Sequence, residues 1–378
     1  MKRGNFLKKK IMSIALAGML LLSQVNLLAK TEVKQVKLRN RSCNVITVTA
    51  DDTTAFKVVK PNMKQVGVTN FKNFIASYKP RAAINANYFE AYKGGFYPYG
   101  TQMTEGKMIN MSGNHASLLV FDKNKFKIVQ GFLRYNGFLD GQRENDWINK
   151  KANTFEIWNV NGNLTSEKTA YVYNSYRNAP TKFGGGTVIE VVDNKVSKVY
   201  KSSENMVLPK NGYIIYYGKE ACDDKYINDR FQEGRTVELE LVLSKKTNDG
   251  FVTETEFDYN GEKIPYTKVS EIISAGPLLI ENSKSVYETY VKGMEAKMTT
   301  GAGARTLIGI NKSNQLVMVT TSGTMAQVTG IMQDLGCTDA FNLDGGASSA
   351  MYANGKYFRN AGRALNTVFL VQDVKPAK

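Results

Sequence analysis

"DAFNLDGGASSAMY", residues 339 to 352, alternates apolar and polar side chains and then ends on a carboxylate followed by two glycines and two serines. A strand that served only the core would gain nothing from that ending. Glycine pairs suit a backbone that turns sharply or that something must approach closely, so the stretch predicts a strand delivering Asp344 to a cleft. Asn342 and Asp344 stand two residues apart, which puts both polar side chains on one face and turns Phe341 and Leu343 to the core. Upstream, "TMAQVTGIMQDLGC" has helical periodicity from Thr324 to Cys337, with Thr324 as N-cap and Gly336 just past the end. The local order is helix, strand, Asp344, turn.

Elsewhere alternation dominates. "CNVITVTA", "FKVVKP", "HASLLVF", "FKIVQGF", "GTVIEVV", "KVSKVY" and "VELELVL" all carry apolar residues at period two, whereas helical spacing recurs only in "TNFKNFIASY" near residue 75. The expected fold class is α+β, a strand-rich domain of mixed or antiparallel sheet with a few helices. The expected organisation is a leader of residues 1–29 and one domain of residues 30–378, with the polar, aromatic stretch 145–177 as an inserted hairpin.

The leader reading rests on "MKRGNFLKKK", a cationic start, followed by the apolar "IMSIALAGMLLL" and a small-residue cleavage site near Ala29. An uncleaved anchor is the alternative, because Ile11 to Ala29 is barely long enough to span with tilt. Loss of Lys2, Arg3, Lys8, Lys9 and Lys10 would take the formal charge of the 378-residue chain from +16 to +11. An exported basic protein draws anionic envelope polysaccharides or phosphodiesters and is an unsuitable partner for nucleic acid, although a lysine-rich surface also serves solubility alone. The expected location is secreted or in the cell envelope, with no membrane span after cleavage. Cys43, Cys222 and Cys337 are odd in number and far apart, so they imply neither a disulfide framework nor a metal site. His115 is the one histidine, which excludes an HExxH zinc helix and leaves a Ser-His-Asp triad without a G-x-S-x-G elbow. Chemistry must rest on carboxylates, arginines, amides and hydroxyls.

Three further stretches carry such groups. In "INANYFEAYKGGFYPYG", Asn87 and Glu90 share one mouth with Tyr88, Tyr97 and Tyr99, rings on which sugars pack. In "EIISAGPLLIENSK", the break at Ala275-Gly276-Pro277 could aim backbone groups at a ligand. In "GAGARTLIGINKSNQLVMVTTSG", Arg305 stands between a glycine-rich loop and a strand, suited to grip phosphate or carboxylate with its planar fork, while Ser322 precedes a helix N-terminus.

With "INANYF", "SAGPLLIENSK", "ARTLIGI", "LGCTDAFNLDGGASSAMYANGK" and "GRALNTVFLV" in that order, the chain resembles the phosphodiester glycosidase family, over Val68 to Val371. Two departures are "TTSGT", where many members look more like an Asp-Gly-Arg run, and Ala347, where a third glycine is usual. The resemblance implies hydrolysis of a sugar-1-phosphodiester at the anomeric C–O bond, releasing a sugar and leaving a phosphomonoester. Such a leaving group needs little protonation, so the scarcity of histidine is no obstacle. On this reading Asp344 is nucleophile or general base and Glu90 the second carboxylate, while Arg305 clamps the phosphate. Asn87, Asn342 and Ser348 bind sugar hydroxyls, and Tyr88, Gly276, Ser322, Gly345 and Gly346 complete the substrate site. No cofactor is required and no metal-ligand cluster exists, which leaves room for a divalent cation near Asp344 but does not demand one. The competing reading is a non-catalytic polysaccharide-binding or export accessory protein with the same pocket. A serine hydrolase using Ser348 or Ser349 lacks a base.

Overall fold

The structure, a computed structural model, describes residues 31–114, 116–146, 148 and 152–374. The leader of residues 1–29 and His115 lie outside these residues. Strands dominate, and among the described residues every ladder between named strands is antiparallel except that of Asn159–Val160 with Ala170–Tyr173. The α+β class with antiparallel sheets is therefore what the alternation produces.

Two sheets position the site. One has seven strands in the order Thr31–Leu38, Arg41–Val48, Leu316–Gly323, Gly303–Asn311, Cys337–Asn342, Leu278–Glu281 and Lys284–Ser285. Helix Met325–Asp334 packs Met325, Val328, Ile331 and Met332 against it. Thr324 caps that helix in a reciprocal box with Gln327, and Gly336 follows in the left-handed region at φ +74°, which ends the helix and feeds the chain into Cys337–Asn342. The other sheet has five strands in the order Lys356–Arg359, Met351–Ala353, Ala82–Asn85, Val368–Asp373 and Thr54–Val59. Helix Phe71–Tyr78 buries Phe71, Phe74 and Ile75 against its strands. Ile308 and Phe341 from the seven-stranded sheet and Ile84 and Phe369 from the five-stranded one meet in a common core, in which Phe369 stacks on Phe121 at 5.1 Å and on Phe56 at 5.8 Å.

The stretch 145–177 is not a free-standing hairpin. Thr154–Ile157 pairs with the long strand Lys125–Leu139, Asn159–Val160 begins a further five-stranded sheet, and Phe155, Ile157, Val160 and Val172 are core residues. Among its polar residues, Asn161 and Arg177 are buried and hydrogen-bonded to Gln65, Asn174 and backbone carbonyls. No described helix is long and apolar enough to cross a membrane.

Candidate active site

The strands Ala82–Asn85 and Cys337–Asn342 are interior strands of their sheets, and their C-terminal ends are stitched together. The Asp344 amide donates to the Ala86 carbonyl at 3.0 Å, and Asn85 Nδ2 donates to the Asp344 carbonyl at 2.7 Å. Asn85 is fully buried; its Oδ1 accepts from the Thr306 hydroxyl and the Ala350 amide, both at 2.9 Å, and Thr306 and Ser349 oxygens lie 3.0 Å apart. A satisfied buried network of this kind fixes one geometry, and the geometry it fixes is that of the Asp344 turn. The two glycines explain themselves. A Cβ on Gly345 would stand 2.7 Å from the Ala304 carbonyl oxygen, and Gly346 has φ +59°.

Asp344 is half-buried at the floor of a cavity of about 570 Å3 that also takes in Tyr88, Glu90, Arg305, Gly345 and Gly346. Burial pushes its carboxyl up to about 6, against the Ser348 hydroxyl, the Arg363 charge and the Gly345 amide, which favour the ionised form. Arg363 acts on it through space only, so the carboxylate keeps acceptor capacity toward the cavity. Asn342 and Asp344 do address the same spot. The Tyr88 hydroxyl accepts from Asn342 Nδ2 at 2.5 Å, donates to the Gly276 carbonyl at 2.8 Å, and lies close enough to Asp344 and Arg305 to feel both charges. Burial first and Asp344 second drive the phenol pKa far up, so Tyr88 stays protonated.

Other predicted site residues occupy different places. Arg305 lines the cavity but is buried, and its guanidinium is largely spent: Nε donates to Gly323 O at 3.1 Å and Nη2 to Lys297 O and Gly301 O at 2.7 Å. Only Nη1, 3.9 Å from Met298 Sδ, remains to meet a ligand, so the full fork is not on offer. Burial pulls the Arg305 pKa below its ordinary value. Glu90 is at the cavity rim, yet its carboxylate accepts from the amides of Tyr92 at 2.7 Å, Lys93, and Gly95 at 3.1 Å. Those amides, Lys93's foremost, hold it below the usual carboxylate range, so it organises the 91–96 loop and is no proton donor near neutrality. Asn87 is buried with Nδ2 on Thr101 O at 3.0 Å, and Asn342 is fully buried, so neither amide faces the cavity as a sugar-binding group would. Ser348 is buried and serves the Asp344 carboxylate; the Gly276 carbonyl serves Tyr88. Ser322 is exposed on the strand Leu316–Gly323 and does not line the cavity.

The sequence reading missed Arg363, Lys297, Lys93 and Tyr92, all of which line the cavity. Arg363 lies within the quoted "GRALNTVFLV" block, and Tyr92 and Lys93 within "INANYFEAYKGGFYPYG", which were their only signals; Lys297 sits in a loop with no pattern to mark it. Among the described residues no group of three or more His, Cys, Asp or Glu could hold a metal ion, and all three cysteines are unpaired.

The sequence profile of the phosphodiester glycosidase family matches residues 185–372. No curated protein sequence matches the chain. Of the solved structures that are similar, a hypothetical protein from Synechocystis superimposes with a TM-score of 0.68 at 14% identity, over 93% of this chain and 64% of its own. A protein from Burkholderia pseudomallei K96243, named as an exported protein, has a TM-score of 0.61 at 16% identity, over 88% of this chain and 74% of its own. The catalytic domain of zebrafish N-acetylglucosamine-1-phosphodiester alpha-N-acetylglucosaminidase gives 0.45 at 12% identity, over 92% and 85%. The chain thus spans about two thirds of the Synechocystis protein, and these likenesses concern the fold.

Proposed function

From the premise that the chain belongs, through residues 185–372, to the phosphodiester glycosidase family, we propose that it is an exported hydrolase of glycosyl phosphodiesters in envelope glycans. One observation carries the reading. An otherwise unpaired carboxylate, Asp344, lies at the floor of a cavity whose walls bring Arg305, Arg363, Lys93 and Lys297. The other two carboxylates of the lining are engaged, Glu90 by loop amides and Glu295 by Lys297, which leaves Asp344 as base or nucleophile facing cations, the complement of a sugar C1 attached to a phosphate. Export is supported by the cationic and apolar leader.

The chemistry follows from the charges. Cleavage breaks the C1–O bond, and its electron pair leaves on the phosphate oxygen, where the cations stabilise it. Positive charge develops on C1 and is compensated by the Asp344 carboxylate, which either takes the proton of an attacking water or bonds C1 and is then released by water. The water oxygen ends on the sugar and its proton passes to solvent. A carboxyl at about 6 is ionised at neutral pH and still basic enough to accept that proton. Because the phosphomonoester leaves readily, Glu90 is not needed as an acid.

The test is incubation of the mature protein with α- and β-linked methyl phosphodiesters of glucose, mannose and N-acetylglucosamine. Equimolar reducing sugar and methyl phosphate are expected from at least one of them, and the NMR anomer of the first product assigns Asp344 as base or nucleophile. Saturable binding with no release from any would leave the accessory reading in its place.

A further inference from the structure

We propose that the ligand's phosphate docks at the mouth of the cavity between the Arg363 guanidinium and the Lys297 ammonium, where the Tyr92 hydroxyl now sits. Resting on the glycosyl phosphodiester reading, this assigns the anion to residues other than Arg305. Three observations converge on that point. The Tyr92 side chain belongs to a residue 84% exposed, yet its hydroxyl is held: Arg363 Nη2 donates to it at 2.9 Å, with the guanidinium carbon 4.9 Å from the ring centroid. Lys297 comes from the opposite loop, and its ammonium is close enough to the Tyr92 oxygen for the two to interact electrostatically. Arg363 also lines the same cavity as Asp344 and acts on its carboxylate through space.

Donor accounting separates these cations from Arg305. Arg305 has committed Nε and Nη2 to three backbone carbonyls, whereas Arg363 donates from Nη2 to the Tyr92 phenol. A phenol oxygen is a neutral acceptor. A phosphate makes charge-assisted and bidentate bonds to the same fork, about twice as strong, so it displaces the hydroxyl. Lys297 is paired with Glu295 at 2.7 Å, but both side chains are more than 70% exposed and water screens such a pair. The loop can yield the ring. It is anchored through the amides of Tyr92, Lys93 and Gly95 on Glu90, which leaves the Tyr92 side chain free to turn and lie over the departing group.

Titration calorimetry of inorganic phosphate into the full-length mature protein, in chloride buffer, tests this. Wild type is expected to bind one phosphate per chain, Arg363→Gln to bind it about tenfold more weakly, and Lys297→Gln a few-fold more weakly. Tyr92→Phe, which removes the competing hydroxyl and keeps the ring, should bind as tightly as wild type or more tightly. Lys292→Gln, an exposed lysine outside the cavity, is the control and should not change. Arg363→Gln binding phosphate like wild type, Tyr92→Phe losing affinity as Arg363→Gln does, or no binding by wild type overturns the assignment. Should Arg363→Gln fail to fold by thermal unfolding, the exposed Lys297→Gln and Tyr92→Phe decide it by their opposite signs. Diester turnover on the same samples separates the two claims. The expected affinity pattern without turnover removes the glycosidase reading and keeps the dock; turnover with phosphate affinity untouched in Arg363→Gln does the reverse.

Discussion

Glu271 and Asp344 are both carboxylates raised by burial, Glu271 to about 7 and Asp344 to about 6, and they lie in regions built for different ends. Glu271 is 4% exposed; Oε2 accepts from the Val58 amide at 2.7 Å, and Oε1 from the Glu105 amide at 2.8 Å and the Thr104 hydroxyl at 3.4 Å. It ties the strand Thr54–Val59 to Glu271–Ala275 and Gln102–Thr104, and no surface cavity reaches it among the cavities described. Asp344 has the Ser348 hydroxyl and the Gly345 amide, then open space with cations across it. A raised pKa therefore records only that charge has been taken out of water. What sets Asp344 apart from Glu271 is acceptor capacity facing a cavity.

The largest effect that can break this contrast is on turnover. Asp344→Asn should lower kcat on a cleavable diester by roughly 10^2- to 10^4-fold, the range for loss of a positioned base, with the circular dichroism spectrum unchanged. Glu271→Gln should leave the kcat of the folded fraction near wild type. Equal losses from both would erase the distinction.

Next in size is the pH profile. Turnover should fall as pH drops through about 6, where Asp344 takes up its proton. Ser348→Ala and Arg363→Gln each remove a group that favours the ionised form, so the acidic limb should move to higher pH in both. Glu271→Gln should not move it.

Stability should separate the two residues by sign. Each folded pKa is raised above the unfolded one, so the ionised form is disfavoured by folding. The linked stability is lost above the folded values of about 6 and about 7, and regained as pH falls toward the unfolded carboxylate range. At pH 8, Asp344→Asn removes a partly buried charge, and the Ser348 hydroxyl, unlike a backbone amide, can turn to accept from the new NH2 while the Asn oxygen accepts from Gly345, so it should stabilise the fold by on the order of 1 to 2 kcal/mol. Glu271→Gln instead turns an NH2 group toward one of two backbone donors and should destabilise it. Thermal unfolding at pH 8 reads both. The smallest effect is expected at Ser322, exposed and away from the cavity, where replacement by Ala should change neither turnover nor melting temperature.

Much of this was legible in the chain. Alternation identified the strands, because a half-buried sheet must repeat every two residues, and Thr324 and Gly336 bracketed a helix through local backbone chemistry. Asp344, Gly345 and Gly346 were legible because a strand that ends on a carboxylate and two glycines has no use in a core. Asn87, Asn342 and Ser348 were placed near the site but given the wrong neighbours, since a buried amide and a solvent-facing one look alike in sequence. Ser322 was misplaced for a related reason. The strand Leu316–Gly323 is legible from its alternation, but which of its faces sees the cavity depends on its register with Gly303–Asn311.

By itself, then, the sequence determined strand-rich α+β structure, the Thr324 helix and the delivery of Asp344 to a turn, because each depends on side-chain period or on backbone preferences within a few residues. Only the tertiary structure decided that Arg305 would spend its donors on carbonyls, that Glu90 would hold a loop, and that Arg363, Tyr92 and Lys297 would share a cavity with Asp344. Those contacts join loops far apart in the chain, and sheet pairing, not any local pattern, sets which of them share a cavity.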